Sequence, residues 1–268
     1  MPQFEFFEIL FGDEPVLDPE ERLYQRLLAG DPIEATDNAE EILEEKFLVE
    51  YYGAVAIPAL LLAEQDRARG ALTEKQLKDV TSSANMLVAN LRMIAHEELD
   101  NDEDVTVDAT TKEKAKVELP SGNGRTIVCI GGHDSLDDIT AEMVAQVLSV
   151  QGARATVIDH AGLLPSQLKK EAVAEASAIV ICYLNVESAT RGRFSIRRLR
   201  RLNPDALIGV ALWSPEEMGE NKENAELQNR IQADFVASKI IDVVINCLGD
   251  GEPPKLRLSE PSSDRQRV

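Results

Sequence analysis

The chain has few basic residues for its acidic content. It carries 28 lysines and arginines against 48 aspartates and glutamates, which gives a formal net charge of −20 at pH 7. Residues 1–120 hold 11 of the basic and 28 of the acidic residues, so most of the negative charge lies in this first part. Such a charge repels nucleic acids and anionic lipids unless basic side chains are concentrated on one face. We therefore expect no nucleic-acid partner.

Cysteines and long apolar runs are also scarce. Cys129, Cys182 and Cys247 each lie within a short apolar run, and none belongs to a CxxC motif. This pattern is typical of buried, reduced thiols. The acidic N-terminal segment does not resemble a signal peptide, and no apolar stretch approaches the roughly 20 residues that span a bilayer. We expect a cytoplasmic protein that reaches a membrane only through a partner.

The common catalytic and nucleotide-binding motifs are missing. The sequence contains no GxSxG, HExxH, GxxxxGK[ST] or GxGxxG motif. Each of these would have indicated a nucleophile, a zinc site or a phosphate-binding loop. We therefore expect a protein that is not an enzyme and that holds no cofactor or metal.

The segments that are present fall into two compositional parts joined by a charged stretch. Helical periodicity dominates the first part, whereas short apolar runs alternate with helical stretches in the second. The predicted segments are a lead-in at residues 1–17, a helical bundle at 18–99, an acidic flexible linker at 100–124, a Rossmann-like α/β domain at 125–248 and a disordered tail at 249–268.

Start and stop signals support the helical bundle. Asp18 and Asp31 each precede a proline, which is the pattern of an N-cap followed by proline at the first helical position. Thr73 and Gln76 have the spacing of a capping box. Pro58 is expected to kink the third helix. Four or so helices joined by short turns predict an antiparallel four-helix-type bundle.

The second part predicts a flavodoxin-like, doubly wound parallel sheet of five strands. Alternation of strand and helix is typical of a parallel sheet covered on both faces, with ligands bound beyond the carboxyl ends of its strands. The five apolar runs are RTIVCIGG, ARATVID, SAIVICYL, DALIGVALW and ADFVAS.

The first loop of this sheet, in IGGHDSLDDI, carries glycines and aspartates. Gly131 and Gly132 fit a tight turn from strand to helix. Ser135 and Asp138 have the spacing of a capping box. The carboxylates of Asp137 and Asp138 would lie at the positive end of the helix dipole and repel a phosphate. We therefore expect a structural role for most of this loop and no nucleotide site.

Histidines and aspartates at the ends of the first two strands leave a second interpretation open. His133 with Asp134, and Asp159 with His160, could converge as a zinc site or a general base. Two histidines without a third ligand at a recognisable spacing are more often ordinary loop residues. The weak candidates for a ligand site are His133, Asp134, Asp137, Asp159 and His160.

The stretch RGRFSIRRLRR concentrates positive charge on one predicted helix. Phe194, Ile196 and Leu199 are expected to form its inner face. The arginines are either a solvated outer surface or a docking surface for another protein or for the acidic bundle. RNA binding is disfavoured because no aromatic platform accompanies them. The candidate interaction residues are Arg191, Arg193, Arg197, Arg198, Arg200 and Arg201.

A bundle followed by a flavodoxin-like domain resembles the cobalamin-binding modules of methionine synthases and corrinoid light sensors. Tyr52, Val55 and Pro58 match the Tyr-x-x-Val-x-x-Pro stretch of that family, but its bundle tryptophan is replaced here by Arg67 and its Glu-His pair falls on Leu77 and Lys78.

The family's cobalt-binding loop, Asp-x-His-x-x-Gly, aligns its histidine with Asp137 and its glycine with Thr140. A hard carboxylate is a poor substitute for imidazole on cobalt. The resemblance therefore implies the module's fold without its cofactor.

A second resemblance covers nearly the whole chain. The N-terminal PQFEFFEILFGDEPVLDPEERLYQRLLAGDPIEATDNAEEILEE, above all YQRLLAGDP, and the later RRLRRLNPDALIGVALW resemble the soluble extension of bacterial permeases of the autoinducer-2 exporter (AI-2E) family. This implies a non-catalytic, cytoplasmic regulatory or interaction module whose partner is a membrane permease core or another protein. The alternative is a small-molecule or corrinoid sensor or carrier that uses the loops after the first two strands of the α/β domain.

Overall fold

The computed structural model describes residues 17–102, 119–213 and 220–249. Three predicted segments lie mostly outside these ranges. They are the lead-in, except its last residue, most of the linker, and the tail, except its first residue.

The N-terminal part is helical, as the periodicity predicts. Asp31 caps its helix by accepting a hydrogen bond from Glu34 N at 3.1 Å. Thr73 and Gln76 form the predicted capping box, with Thr73 N donating to Gln76 Oε1 at 3.0 Å and Gln76 N donating back to Thr73 Oγ1 at 3.2 Å. The elements are α1 (Pro19–Ala29), α2 (Pro32–Leu43), α3 (Leu48–Tyr51), a π-helical turn (Tyr52–Ala56), α4 (Ile57–Ala68) and α5 (Glu74–Asp102).

Pro58 lies in the first turn of α4, directly after the π-helical turn. Proline has no N–H to donate, and its ring crowds the preceding turn of an α-helix. The wider π-helical geometry before it accommodates the ring, and the predicted kink stays a prediction.

The second part is a five-stranded, all-parallel sheet in the order β2-β1-β3-β4-β5. This is the flavodoxin-like order, so the predicted fold class, a helical bundle followed by a doubly wound sheet, is confirmed. The strands are β1 (Thr126–Gly131), β2 (Arg154–Ile158), β3 (Ala178–Tyr183), β4 (Leu207–Leu212) and β5 (Phe235–Ala237).

Helices cover both faces of the sheet. After β1 and β5 come α6 and α11, which together with the bundle enclose one continuous apolar core. The other helices cover the opposite face around a second core. The elements are α6 (Ser135–Val150), a 3₁₀ turn (His160–Leu163), α7 (Lys170–Ala174), α8 (Val186–Arg191), α9 (Arg193–Leu202), α10 (Glu220–Ile231) and α11 (Ile240–Leu248).

The bundle is bonded to α6 as well as packed against it. The hydroxyl of Tyr52 donates to Gln146 Oε1 at 2.7 Å, and both side chains are buried. At the surface, Arg92 of α5 pairs with Glu142 of α6. The bundle therefore shares a core and fixed polar contacts with the α/β part.

All three cysteines are buried and free, as predicted. Burial raises the pKa of the Cys129 and Cys182 thiols well above the ordinary value, which keeps them protonated and unreactive. Within the described residues, no helix has the length and apolar composition to cross a membrane.

The arginine-rich stretch differs from the prediction in one respect. It forms two helices, α8 and α9, which break at Gly192, where a Cβ atom would lie 2.8 Å from the Tyr183 hydroxyl. Ile196 and Leu199 face inward as expected, but Phe194 is 72% exposed. A residue two positions from Ile196 is turned by about 200° around the helix, so Phe194 cannot share its inner face.

Candidate functional site

Side chains from both parts of the chain meet at the carboxyl edge of the sheet. Glu64 and Arg67 of α4 contact each other. Arg67 also contacts Asp134, which follows β1, and Glu64 contacts Asn185, which follows β3. We call these four residues the junction cluster. In a doubly wound fold, ligands bind at this edge, so the junction cluster occupies the position of a ligand site.

Glu64 is the buried centre of the junction cluster. It is 4% exposed, and the Arg67 guanidinium holds its carboxylate through Nε at 2.6 Å and a terminal nitrogen at 2.7 Å. Asn185 Nδ2 donates to the same carboxylate at 3.1 Å. The hydrogen bond to Glu64 is the main cause that raises the pKa of Arg67. A buried carboxylate is tolerated only with such partners.

Asp134 and Asn185 each begin a helix as well as contact the bundle. Asp134 Oδ1 accepts from Leu136 N at 3.0 Å and Asp137 N at 3.3 Å, while its Oδ2 lies 3.4 Å from Arg67. Asn185 caps α8 by accepting from the backbone N–H groups of the two residues that follow Val186. These hydrogen bonds to helix starts therefore fix the positions of Asp134 and Asn185 in the junction cluster.

The capping box predicted from Ser135 and Asp138 is wrong in its residues. Helix α6 does begin at Ser135, but Asp134 is the N-cap, because its extended backbone directs its carboxylate at the free N–H groups. Asp138 instead accepts from His160, through the backbone N at 2.6 Å and Nδ1 at 2.7 Å. This pair ties the first turn of α6 to the 3₁₀ turn after β2.

Asp137 is a buried carboxyl group beneath the junction cluster. Desolvation, followed by the negative charge of Asp134, raises its pKa to about 8, although N–H groups of Leu184 and His133 donate to it. The desolvation outweighs the favourable helix start. The Asp137 carboxyl is therefore mainly protonated at neutral pH.

The glycine pair serves packing. A Cβ at Gly131 would lie 1.9 Å from Asp138 Oδ1, and one at Gly132 would lie 2.1 Å from the Tyr183 ring. Neither glycine has a positive φ, so space and not backbone conformation requires them. The sequence predicted that these glycines serve a tight turn. In the structure they instead leave room for the side chains of Asp138 and Tyr183.

The sheet edge and α6 also bury polar hydrogens that have no acceptor among the described residues. Trp213, directly after β4, is 2% exposed, and its indole N–H has no hydrogen-bond partner there. Gln146 accepts from Tyr52 but has no acceptor for its own Nε2. A buried donor without a partner costs about 1–3 kcal/mol, so both positions would gain from an added acceptor.

The remaining sequence-predicted candidates are dispersed. His133 is exposed, and Asp159 accepts from Gly162 N at 2.9 Å as the cap of the 3₁₀ turn. Arg198 donates to Leu163 O, and Arg200 pairs with Asp234 at 2.9 Å. The described part of the chain contains no group of three or more His, Cys, Asp or Glu side chains placed to hold a metal ion. The other arginines, Arg191, Arg193, Arg197 and Arg201, are exposed.

The sequence interpretation missed Glu64, Arg67 and Asn185 as site residues. Glu64 and Arg67 have the three-residue spacing of an ordinary surface ion pair, which gives no sign of burial. One signal existed: Arg67 falls on the tryptophan position of the cobalamin-module resemblance. An arginine in place of a buried aromatic residue indicates a partner with negative charge nearby.

The residues present do not fit the corrinoid that the cobalamin-module resemblance suggests. Asp137, at the position of the cobalt-binding histidine, is 3% exposed, and its carboxyl group is used by Leu184 N. Tyr183 fills the space beside Gly132, and the junction cluster lies at the same edge of the sheet. Cobalt coordination by Asp137 would require this packing to change.

Comparison with known proteins shows that this chain shares its fold with a solved structure. No protein-family model and no curated protein matches the chain. Among solved structures, the chain is similar to the Methanosarcina barkeri monomethylamine corrinoid protein, with a TM-score of 0.55 and 10% sequence identity over 85% of this chain and 95% of that one.

A novel cobalamin-binding protein from Desulfitobacterium hafniense DCB-2 also matches, with 12% identity over 87% of this chain and 98% of that one, at a TM-score of 0.37. The similarity to the Methanosarcina protein shows that this chain has the bundle-plus-Rossmann-like fold of a corrinoid protein.

Proposed function

We propose that this chain is a non-catalytic small-molecule-binding module, whose ligand site lies at the carboxyl edge of the sheet and is held closed by the junction cluster. The observation that carries the proposal is the contact of Arg67 with Glu64 and Asp134. It joins α4 to the loop after β1, where ligands of doubly wound folds bind. A ligand at this edge competes with the junction cluster, so binding is coupled to local opening.

The charges of the junction cluster suit such a closure. Arg67 is about one-third exposed and lies between two carboxylates, so water and a ligand can both reach its guanidinium. A ligand with an anionic or carbonyl oxygen can replace Asp134, whose contact at 3.4 Å is the longest of the set. The indole N–H of Trp213, which has no hydrogen-bond partner among the described residues, is a further donor at this edge.

The arrangement supports a binding role over catalysis. The catalytic cluster that the sequence suggested requires His133, Asp134 and His160 to converge. Instead, Asp134 is committed to Leu136 N and Arg67, and His160 to Asp138. These contacts stabilise loops and helix starts, and the side chain of His133 takes part in none of them.

A corrinoid is the second, more specific candidate ligand. The fold shared with the Methanosarcina corrinoid protein favours it, whereas the buried Asp137 disfavours coordination of cobalt. Titration with hydroxocobalamin, followed by visible absorbance and by melting temperature, shows whether the chain binds a corrinoid. A coloured complex that survives gel filtration supports a corrinoid carrier. A colourless protein with no melting shift removes it.

Association with a permease rests on the AI-2E resemblance alone. Under this proposal, the partner would be a membrane permease core, and the exposed arginines would be the contact. Co-purification with a membrane protein encoded beside this chain tests it, with the arginine-reversed protein as the control.

The experiment for the main proposal compares ligand binding by three proteins. These are the wild type, D134N, which keeps an N-cap for α6 but removes the carboxylate that competes for Arg67, and R69M, which removes the exposed Arg69–Asp66 pair (2.5 Å) at the C-cap of α4. With hydroxocobalamin and cobinamide as probes, both of which carry amide carbonyl oxygens, we expect a larger melting shift for D134N than for the other two, because Arg67 is then free to bind the ligand. Equal shifts, or none in all three proteins, would count against the junction as the binding site.

A further inference from the structure

The outer face of α9 is a basic stripe, which we define as Arg193, Arg197 and Arg201 together with Phe194. The three arginines are spaced four residues apart, so they lie along one side of the helix at intervals of about 6 Å. All three are exposed, and none has a hydrogen bond or ion pair within residues 17–102, 119–213 and 220–249. Phe194, beside them, is 72% exposed.

This arrangement is unfavourable for an isolated helix. Like charges four residues apart destabilise a helix, and an exposed phenylalanine adds nothing to the core. Arg198 and Arg200 of the same helix are paired with Leu163 O and Asp234. The basic stripe therefore differs from its own neighbours in having no partner among the described residues.

The bundle carries a surface with the opposite properties. We define the acidic stripe as Ile33, Asp37, Glu40 and Glu44, which follow one another at intervals of four, three and four residues on the outer side of α2 and its C-cap. All four are exposed, and Ile33 is 69% exposed. Each stripe thus presents three charges of one sign and one large apolar side chain, on helical surfaces of similar length.

The two stripes cannot meet within one copy. Helix α2 contributes Ala35 and Ala39 to the core shared by the bundle, α6 and α11, whereas α9 contributes Ile196 and Leu199 to the core on the opposite face of the sheet. The structure therefore does not show the predicted docking of the arginine helix on the bundle of its own chain, because the sheet separates them.

We propose that the basic stripe binds the acidic stripe of a second copy of this chain. With Phe194 packed against Ile33 of the other copy and the two helices parallel, Arg197 faces Asp37 and Arg201 faces Glu40. At short range the opposite charges of the two stripes attract each other, and this local attraction opposes the repulsion between two copies that each carry a net charge of −20. Because each copy carries both stripes, the contact is head-to-tail and leaves one stripe of each kind open for a further copy.

The test is sedimentation of the full chain over a series of concentrations, at low ionic strength and at about 1 M salt, where the screening length is ~3 Å. We expect the average mass to rise with concentration at low ionic strength and to return to that of the monomer at high salt. A wild type that stays monomeric at every concentration would overturn the proposal.

Charge reversal identifies the surfaces. R193E/R197E/R201E and D37R/E40R/E44R should each weaken self-association by roughly tenfold or more. A mixture of the two variants should associate again, because each then offers the complement of the other. K75E/K78E, which reverses two exposed lysines on α5, is the control and should associate as the wild type does. Variants whose mixture stays monomeric while their melting is unchanged would also overturn the proposal.

Discussion

Arg67 holds the buried carboxylate of Glu64 with two hydrogen bonds, at 2.6 and 2.7 Å, and reaches Asp134 across the junction between the bundle and the sheet. One arginine thus neutralises a buried charge within the bundle and also ties the bundle to the loop after β1. The stability of the chain and, under the proposed function, the closure of its ligand site therefore depend on the same side chain.

The cost of removing only one partner of this pair should be high. R67M leaves the Glu64 carboxylate buried without its cation, which typically costs about 3–5 kcal/mol. In E64Q/R67M the charge is removed as well, so we expect most of that loss to be recovered. Urea unfolding of the wild type, both single variants and the double variant gives the coupling. Additive losses would show that the pair does not act as a unit.

Asp137 should make stability fall as pH rises. Its pKa in the fold is about 8, against roughly 3.9 in an unfolded chain, so the folded protein retains a proton that the unfolded chain gives up between these values. Its contribution is fully present below about pH 3.9 and is lost as the pH rises through 8, with a slope of at most about 1.4 kcal/mol per pH unit.

The comparison that isolates Asp137 is D137N. Asparagine keeps an oxygen that can accept from Leu184 N but does not titrate. The unfolding free energy of the wild type minus that of D137N should therefore decline between about pH 5 and pH 8. A difference that stays constant over this range would refute the raised pKa.

The hydroxyl of Tyr52 should contribute more to stability than that of its neighbour. Y52F removes the donor to Gln146 and leaves the buried amide oxygen without this partner, which costs about 1–3 kcal/mol. Tyr51 is equally buried, but its hydroxyl has no hydrogen bond among the described residues, so Y51F is the matched control. Thermal unfolding of both variants tests this, and equal losses would contradict it.

Gly132 should not tolerate a side chain. In G132A the new methyl group would meet the Tyr183 ring at 2.1 Å, and overpacking of this kind costs about 1–3 kcal/mol. Y183L should relieve part of that loss, so G132A/Y183L should be more stable than the sum of the single effects implies. Strict additivity of the two substitutions would show that the ring is not the obstacle.

The sequence was sufficient for the fold because local signals and global architecture agree. Helix starts such as Asp31 and Thr73, and the alternation of apolar runs, depend on neighbouring residues alone. The first loop shows where this stops. The helix start at Ser135 was predicted, but the role of Asp138 depends on His160, 22 residues later in the chain and brought close only by the fold.

The candidate site was less predictable for the same reason. The junction cluster joins Glu64 to Asn185, which are 121 residues apart in the sequence. No spacing rule relates such residues, and the burial of Glu64 follows from packing of the bundle against the sheet edge. Phe194 is a different case, because its spacing of two residues from Ile196 places it on the other side of a helix and its exposure could have been predicted from the sequence.

The most direct test of the account is amide hydrogen exchange of the wild type, E64Q/R67M and R69M. If the junction cluster holds the ligand edge closed, exchange in E64Q/R67M should become faster at residues 132–137 and 184–187 while the sheet interior stays protected. R69M should match the wild type. Equal exchange in these two loops for all three proteins would contradict the claim that the junction cluster closes the site.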